Sequence, residues 1–292
     1  MDGMIVGMGE ALWDILPDGR KIGGAPANFA YHVSQFGLPG CVVSAVGDDA
    51  PGDEIIENFN NKGLNQYIEK VPYPTGSVLV DVDDAGIPRY DIKENVAWDN
   101  IPFTPTLEEL ARHTKALCFG SLSQRSSVSR DTVRRFIDTM EQNDETLVVF
   151  DINLRQHYYS REVLEESLKR CNILKINDEE LDKVSELFGL SDADVTARCR
   201  KLMERFNLKM LILTCGAEGS YVFTSDGMSY MPTPRVAVAD TVGAGDSFTA
   251  AFIASLIKGK SVTEAHEAAV RTSAYVCTQN GAMPLLPDEL TD

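Results

Sequence analysis

A glycine turn leads directly into a helix at residues 240–248, where the sequence reads DTVGAGDSF. Apolar residues then recur with helical spacing, which predicts a helix that runs to about Lys258 and ends at Gly259. The N–H groups of a first helical turn have no partner inside the helix, and the helix dipole makes that end positive. Because positions 243–245 carry only glycine and alanine, an anion can approach this backbone closely.

Asp246 places a carboxylate where such an anion would lie, which is electrostatically unfavourable. The arrangement becomes useful if the carboxylate takes a proton from a nucleophile that attacks a bound phosphoryl group. The alternative is structural, because the dipole favours an acidic residue in the first turn of any helix. A glycine–alanine–glycine turn alone leaves both interpretations open.

Composition and charge narrow the class of protein. The chain has 292 residues, of which 43% are hydrophobic and 24% charged, as in an ordinary globular protein. Its net charge of −17 argues against nucleic acid or an anionic membrane as a partner. The six cysteines show no C-x-x-C spacing, and no apolar run approaches a membrane span, so we expect a cytoplasmic protein with reduced thiols.

Short apolar runs alternate with segments of helical period, which predicts an α/β fold with a mostly parallel sheet. Two segments instead alternate apolar and polar residues about turns at 17–19 and 83–86, which predicts two hairpins. Polar residues follow several buried strands, where open α/β sheets bind ligands. The predicted buried strands are 4–10, 41–49 with its loop, 116–120, 147–150, 171–176 and 210–214, and the predicted helices include 52–61, 129–142 and 264–278.

The string at 240–246 resembles the second signature of the ribokinase-like (PfkB) carbohydrate kinases, and the chain looks most similar to bacterial fructokinases. In that family the last Asp of the string is the general base that deprotonates a sugar hydroxyl, and the loop before it is the anion hole for the transferred phosphoryl group. By this resemblance the base is Asp246, and the anion hole is Gly243, Ala244 and Gly245.

Segment 23–47 resembles the first signature of the same family. Asn28 could instead cap a helix, and Arg155 could pair with a helix carboxylate. The string at 151–155, Asp-x-Asn-x-Arg, resembles fructokinase-like and ketodeoxygluconate kinase-like members, whereas the string Asn-x-Ala-x-Asp at 95–99 differs from the family's Asn-x-x-Ala-Asp. The resemblance implies these substrate-binding residues: Asp14, Gly23, Gly24, Asn28, Asn95, Asn153 and Arg155.

The residues expected to bind the nucleotide and cations follow from the same resemblance. Asn177-x-x-Glu180 reads by itself as a capping box at a helix start, while the family uses this motif for Mg²⁺ and phosphate through water. The implied nucleotide-binding residues are Asn177, Thr214, Gly216, Gly219 and Gly281. Glu180 is the implied Mg²⁺ residue, and backbone carbonyls near Asp240 and Val242 imply a monovalent cation site, such as one for K⁺.

The resemblance implies one ribokinase-like three-layer α/β/α domain over residues 1–292, with a small β-sheet lid from about 10–22 and 75–102. It implies a kinase that transfers phosphoryl from Mg-ATP to a sugar, with fructose as first expectation. The alternatives are 2-keto-3-deoxygluconate, ribose, a nucleoside or a phosphosugar, and a non-catalytic sugar-binding protein of the same fold. An acid or phosphosugar would need basic lid residues, for which Arg89 and Lys93 are the candidates. Exposed lid edges would favour a homodimer.

Overall fold

The computed structural model describes residues 3–16, 19–82, 88–141, 143, 145–190 and 194–291. The predicted turn residues 17–18 and 83–86 lie outside these ranges. The strands are β1 (Met4–Met8), β2 (Leu12–Leu16), β3 (Gly19–Gly23), β4 (Gly40–Gly47), β5 (Asn65–Val71), β6 (Gly76–Val82), β7 (Pro88–Ile92), β8 (Thr114–Phe119), β9 (Leu147–Asp151), β10 (Ile173–Asn177), β11 (Met210–Thr214), β12 (Ser220–Thr224) and β13 (Met228–Met231). The helices are α1 (Ala25–Gln35), α2 (Ala50–Asn61), α3 (Pro105–Arg112), α4 (Ser127–Thr139), α5 (Arg161–Arg170), α6 (Asp178–Phe188), α7 (Val195–Phe206), α8 (Ala244–Ile257), α9 (Val262–Cys277) and α10 (Asp288–Thr291).

A nine-stranded sheet forms the centre of the protein, in the order β13-β12-β11-β10-β9-β8-β1-β4-β5. Neighbouring strands are parallel from β11 to β5, and β12 and β13 add antiparallel pairs at one edge. The parallel strands near the centre are continuous apolar runs because both of their faces are covered.

Alternation along each strand produces two hydrophobic cores. In β1, Met4, Val6 and Met8 pack in a core with α3 to α7, whereas Ile5, between Met4 and Val6, packs in a core with α1, α8 and α9. Helices therefore cover both faces of the sheet. This confirms the predicted three-layer α/β/α fold with a mostly parallel sheet.

The strand order reverses at β1, which is the fold's topological switch point. The chain leaves β1 through α1 toward β4 on one side, while β8 and the later strands lie on the other side. Ligands of open α/β sheets bind at the carboxyl ends of the strands beside such a point. The sequence segments that end there are Gly9–Glu10, Gly120–Ser121 and the loop after Asp151.

A separate four-stranded sheet has the order β3-β2-β6-β7, as the two predicted hairpins suggested. Strands β2 and β6 pair in parallel, and the outer pairs are antiparallel. Asp14 and Lys21 are directly opposite each other in the β2–β3 pair, so they share one face of this sheet. Arg125, in the turn after β8, packs on residues that follow β7 and β9: its guanidinium lies 4.1 Å from the Trp98 ring centroid and 4.6 Å from that of Tyr158.

The predicted helix bounds differ from the observed ones by up to three residues, most at the end of the fourth helix. Helix α4 spans Ser127–Thr139 instead of 129–142, because Met140 adopts an extended ψ of 145° that ends the helical hydrogen bonding. Among the helices of the described ranges, none is both long and apolar enough to cross a membrane.

Candidate active site

Asp246 lies in the first turn of α8 and accepts a hydrogen bond from the Asn28 side-chain amide. The distance between Asn28 Nδ2 and Asp246 Oδ2 is 2.7 Å, although the two residues are 218 positions apart in sequence. Asn28 is itself buried on α1. The fold therefore joins the two segments that the sequence predicted as parts of one site.

The glycine turn before Asp246 adopts the conformation that an anion-binding loop needs. Gly243 has a φ of 78° and is the N-cap of α8, while its carbonyl accepts the Ser247 N–H at 2.8 Å. Ala244 and Gly245 form the first helical positions, where N–H groups have no acceptor within the helix, and the Ala244 N–H donates to the Thr241 carbonyl at 3.3 Å. This backbone can receive an anion next to Asp246.

A buried ammonium group lies directly behind this loop. A Cβ atom at Gly245 would lie 3.0 Å from Lys175 Nζ, so the absence of a side chain there lets the amine approach. Lys175 Nζ is 3.0 Å from Asp151 Oδ1, and the Thr249 hydroxyl donates to Asp151 Oδ2 at 3.0 Å. Burial opposes the charge of Lys175, but the carboxylates of Asp151 and Glu180 outweigh it and hold the Lys175 pKa above its ordinary value. The loop thus has a fixed positive charge behind it.

The pKa of Asp246 is raised from 3.8 to about 6, first because the carboxyl is desolvated by burial and then because the Asp151 charge repels its ionised form. The hydrogen bond from Asn28 and the charges of Lys175 and Arg155 act in the opposite direction. A carboxyl with this pKa is ionised at neutral pH and is a stronger base than an exposed aspartate.

Three of the residues predicted to bind sugar pack where β2 meets the start of α1. A side chain at Gly23 would overlap the Asp14 carboxylate, and one at Gly24, which has a φ of 117°, would overlap the Glu10 carbonyl. The two glycines therefore allow the β2 carboxylate and the start of α1 to pack together. Burial raises the pKa of Asp14 to about 6, and the Arg155 charge partly offsets this.

Of the other residues predicted to bind substrate, only Asn153 lines the small pocket beside Asp246 among the described residues. Asn153 has a φ of 46°, lies in the loop after β9 and lines a small pocket with Asp151 and Asp246. Arg155 is exposed, and its charge acts on the pKa values of Asp246 and Asp14. Asn95 has a φ of 55° and an exposed side chain. Arg155 and Asn95 do not line that pocket within the described part of the chain.

The nucleotide-side motif is a capping box, as the structural interpretation predicted. Asn177 Oδ1 accepts the Glu180 N–H at 2.8 Å, and Glu180 Oε2 accepts the Asn177 N–H at 3.0 Å. Glu180 Oε1 also accepts the Leu154 N–H at 2.8 Å, which ties α6 to the loop that carries Asn153. Thr214 is the register partner of Asn177, so the ends of β10 and β11 are adjacent.

Gly216 and Gly219 bracket a short 3₁₀ turn after β11, and both have positive φ values, 51° and 126°. The turn closes through a hydrogen bond from the Cys215 N–H to the Gly219 carbonyl at 2.8 Å. The result is an exposed backbone loop next to Thr214, made of residues that the sequence predicted to bind the nucleotide.

Asp240 links the two loops of the predicted cation site. Its Oδ1 accepts the Val242 N–H at 3.0 Å, and its Oδ2 accepts the Gly281 N–H at 3.1 Å. Lys21, from the smaller sheet, places its Nζ 3.8 Å from Asp240 Oδ2. Gly281 is thereby held beside the glycine turn that precedes α8.

A directly bound divalent metal has little support in these residues. In the described ranges, no cluster of three or more His, Cys, Asp or Glu residues could hold an ion. Both Glu180 carboxylate oxygens already accept backbone N–H groups, which leaves their other lone pairs for water. This donor set fits Mg²⁺, which keeps several waters and is held mainly by substrate phosphates.

Three residues at this site were not predicted as site residues: the buried Glu10 and Lys175, and the half-buried Arg125. The sequence carried a signal for two of them, because Glu10 and Lys175 are charged residues within or at the end of apolar strands. Arg125 carried none, since it follows β8 in an ordinary polar segment. Its guanidinium forms a bidentate pair with Asp99, at 2.8 and 2.9 Å.

Comparison with known proteins places the chain in a family. The family model described as "pfkB family carbohydrate kinase" matches residues 19–289. An ATP-dependent 6-phosphofructokinase of Thermoanaerobacterium thermosaccharolyticum is 28% identical, over 92% of this chain and 83% of the relative. The probable fructokinase-5 of Arabidopsis thaliana is 28% identical, over 97% and 94%.

The fold is also that of solved kinases. A double mutant of fructokinase from Vibrio cholerae O395, solved with fructose, ADP and a potassium ion, superposes with a TM-score of 0.83. Its sequence is 23% identical, and the match covers 99% of this chain and 97% of that one. With a family model that matches almost its whole length, the chain belongs to the pfkB family of carbohydrate kinases.

Proposed function

We propose that the protein transfers the γ-phosphoryl group of Mg-ATP to a hydroxyl group of a sugar, with Asp246 as the general base. The observation that carries this proposal is the 2.7 Å hydrogen bond between Asn28 and Asp246. It brings Asn28, from the segment that we propose binds the sugar, against a carboxylate in the first turn of α8. A sugar hydroxyl and a phosphoryl group can both reach that point.

In the proposed reaction, Asp246 accepts the hydroxyl proton as the sugar oxygen attacks the γ-phosphorus. The bond between that phosphorus and the bridging oxygen of ADP breaks, and the products are a sugar phosphate, ADP and protonated Asp246. Asn28 orients the Asp246 carboxylate through its hydrogen bond. Phosphoryl transfer depends mainly on such positioning and on stabilisation of charge.

The charge on the phosphoryl group in flight is stabilised by the first turn of α8. Gly243, Ala244 and Gly245 form the proposed anion hole, although the Ala244 N–H also donates to the Thr241 carbonyl at 3.3 Å, and Lys175 supplies a fixed positive charge behind Gly245. Mg²⁺, when bound with ATP, neutralises charge on the phosphates, and Glu180 would hold its water shell. Asn177, Thr214, Gly216, Gly219 and Gly281 would hold the nucleotide, and the backbone near Asp240 and Val242 would hold a monovalent cation.

Fructose is the first candidate for the substrate. The similarity to a fructokinase relative and the fold of the Vibrio cholerae fructokinase support it. The similarity to a 6-phosphofructokinase keeps a phosphosugar as the main alternative, followed by 2-keto-3-deoxygluconate, ribose and a nucleoside. A non-catalytic sugar-binding protein is less well supported, because it would need no base beside an anion-binding loop.

A coupled ADP-release assay with Mg-ATP tests the proposal. The panel is fructose, ribose, 2-keto-3-deoxygluconate, fructose 6-phosphate and adenosine, and we expect the highest kcat/KM with fructose. A higher kcat/KM with another member of the panel would change the assigned substrate but support the same phosphoryl-transfer reaction. No ADP release with any member, while ATP still binds, would contradict the proposed kinase activity with these substrates.

We also propose that the smaller sheet is a lid on this single domain and that it mediates a homodimer. Ile15 and Leu79 are register partners at its centre, and their side chains are 38% and 37% exposed. An exposed apolar pair on a sheet with open edges favours burial by a second copy. We expect a dimeric mass by light scattering at micromolar concentration, and a monomeric mass there would contradict this assembly.

A further inference from the structure

Helix α1 carries three polar residues on one of its faces. Asn28, His32 and Gln35 occupy positions i, i+4 and i+7, which lie on the same side of an α-helix. Asn28 and His32 are buried, and Gln35 is half-buried. Asn28 binds Asp246, so His32 and Gln35 lie further along a helix that already contacts the proposed base. The reaction proposed above uses neither His32 nor Gln35.

His32 and Gln35 bind the loop between α9 and α10, about 250 positions away in the sequence. Burial lowers the His32 pKa to about 4, so the ring is neutral near pH 7 and has one N–H. Its Nε2 must carry this proton, because it lies 2.9 Å from the Ala282 carbonyl, which can only accept.

Gln35 completes the same network. The Nδ1 atom of His32 is left as an acceptor, and Gln35 Nε2 donates to it at 3.3 Å and to the Pro284 carbonyl at 3.1 Å. Gln35 Oε1 accepts the Leu286 N–H at 2.8 Å. Two side chains of α1 thus hold three backbone groups of the loop, and the backbone partners fix the direction of every bond.

The loop that α1 holds also supports the glycine turn before α8. The Gly281 N–H donates to Asp240 Oδ2 at 3.1 Å, and a Cβ atom at Gly243 would lie 2.7 to 2.8 Å from Ala282, so Ala282 packs directly against the turn. Because His32 binds the carbonyl of this same Ala282, a shift of the loop relative to α1 would also move the contact on Gly243. Helix α1 is therefore connected to the turn as well as to the base.

We propose that His32 and Gln35 are positioning residues for phosphoryl transfer, which hold the loop after α9 so that Ala282 keeps the glycine turn at a fixed distance from the base. Helix α1 then sets this distance, since it binds Asp246 directly and the turn through Ala282. The alternative is that the two residues only anchor the C-terminal part of the chain. The inference rests on the proposed sugar-kinase function and adds residues that act through the loop instead of on the substrate.

His32→Leu removes the donor to Ala282 and keeps an apolar side chain in the buried position. We expect kcat with the preferred sugar to fall by about 10- to 100-fold, because a displacement of about 1 Å in catalytic groups costs about 10²-fold. The sugar affinity measured without ATP should be unchanged, since Asn28 stays in place. His32→Gln offers an amide N–H in place of the ring N–H and should restore most of the activity.

Combination with Gly243→Ala tests whether His32 acts through this loop. If both changes displace the same contact, His32→Leu should lower kcat far less in the Gly243→Ala background than in the wild type. Equal factors in the two backgrounds would overturn the proposed route. Wild-type kcat in His32→Leu, or the same loss in His32→Leu and His32→Gln, would overturn the role of the hydrogen bond.

Hydrogen exchange of backbone amides at 280–287 tests the loop independently of turnover. Exchange there should be faster in His32→Leu and in Gln35→Met, which removes the bonds to the loop from a half-buried position and should also lower kcat. Gln35→Met provides the test if His32→Leu does not fold. Unchanged exchange in the folded variants would overturn the positioning role, whereas faster exchange in a protein that releases no ADP with any sugar would refute only the kinase.

Thr132→Val is the matched control. The buried Thr132 hydroxyl donates to the Ile101 carbonyl at 2.6 Å, so this variant also loses a buried bond from a helix side chain to a distant carbonyl. Thr132 belongs to α4, which covers the opposite face of the large sheet from α1. The control should be less stable than the wild type but have the same kcat and the same exchange at 280–287. A loss of kcat as large as that of His32→Leu would mean that lost stability explains both variants, and would overturn the positioning role.

Discussion

Replacement of Asp246 by Asn should lower kcat with the preferred sugar by about 10²- to 10⁴-fold, the usual contribution of a positioned general base. The amide oxygen of the variant can still accept the hydrogen bond from Asn28, so the architecture of the site is kept. We therefore expect the affinities for ATP and sugar to change by only a few-fold. Steady-state kinetics and calorimetry on the same preparation measure both quantities.

Asp53→Asn is the control for the structural interpretation, in which Asp246 only complements the helix dipole. Asp53 occupies the first turn of α2, is exposed and lies outside the site. The Asp53→Asn variant should have the same kcat as the wild type. If Asp246→Asn also retained full activity, the assignment of the base would be wrong.

The raised pKa of Asp246 makes the pH dependence part of the same prediction. Only the ionised carboxylate can accept the proton, so kcat/KM should fall about tenfold per unit below a pH near 6, instead of near the ordinary aspartate value of 3.8. Glu10 titrates nearby, with a pKa of about 7. The limb that persists in Glu10→Gln therefore belongs to Asp246.

The ionised Asp246 carboxylate should lower the free energy of unfolding, whereas a simple interaction with the helix dipole would raise it. Folding raises the Asp246 pKa, so the folded state binds this proton more tightly, and the stability it contributes is lost as pH rises from about 4 through about 6. At pH 8 the ionised group costs up to about 3 kcal/mol, at 1.36 kcal/mol per pKa unit. Asp246→Asn should therefore raise the melting temperature at pH 8, whereas a dipole role predicts that it falls.

The strands, the helices and the class of fold could be predicted because their signals are local. Continuous apolar runs fix buried parallel strands, and the period of the segments between them fixes the helices. The position of Asp246 was predictable for the same reason, since the glycine turn and the helix that follows lie within nine residues.

What could not be predicted depends on contacts between distant segments. Lys175 lies against Gly245 because the fold brings β10 next to the start of α8. Arg125 pairs with Asp99, which lies 26 positions earlier in the sequence. A pattern in one segment does not say which other segment will satisfy its polar groups. The identity of the sugar is undetermined for the same reason, because it depends on partners that the fold assembles.

Gly243→Ala should be the most damaging small substitution in the site. At φ 78° a non-glycine residue costs about 1–2 kcal/mol, and the added Cβ would lie 2.7 to 2.8 Å from Ala282. The 281–282 loop cannot easily yield, since Asp240 holds the Gly281 N–H and the buried His32 Nε2 donates to the Ala282 carbonyl at 2.9 Å. The loop of α8 must move instead, and a shift of about 1 Å in such donors costs about 10²-fold in kcat.

Gly259→Ala separates the clash from the backbone strain, because Gly259 follows the other end of the same helix with a φ of 82° and nothing within 4 Å of its Cβ position. Both variants should lose about 1–2 kcal/mol of unfolding free energy from the left-handed conformation. Gly243→Ala should lose about 1–3 kcal/mol more through overpacking, and only Gly243→Ala should lose activity. Denaturant unfolding and kcat on both proteins measure the difference. Equal kinetics would mean that the packing of Gly243 against Ala282 does not position the anion-binding loop, and the electrostatic role of its N–H groups would lose its structural support.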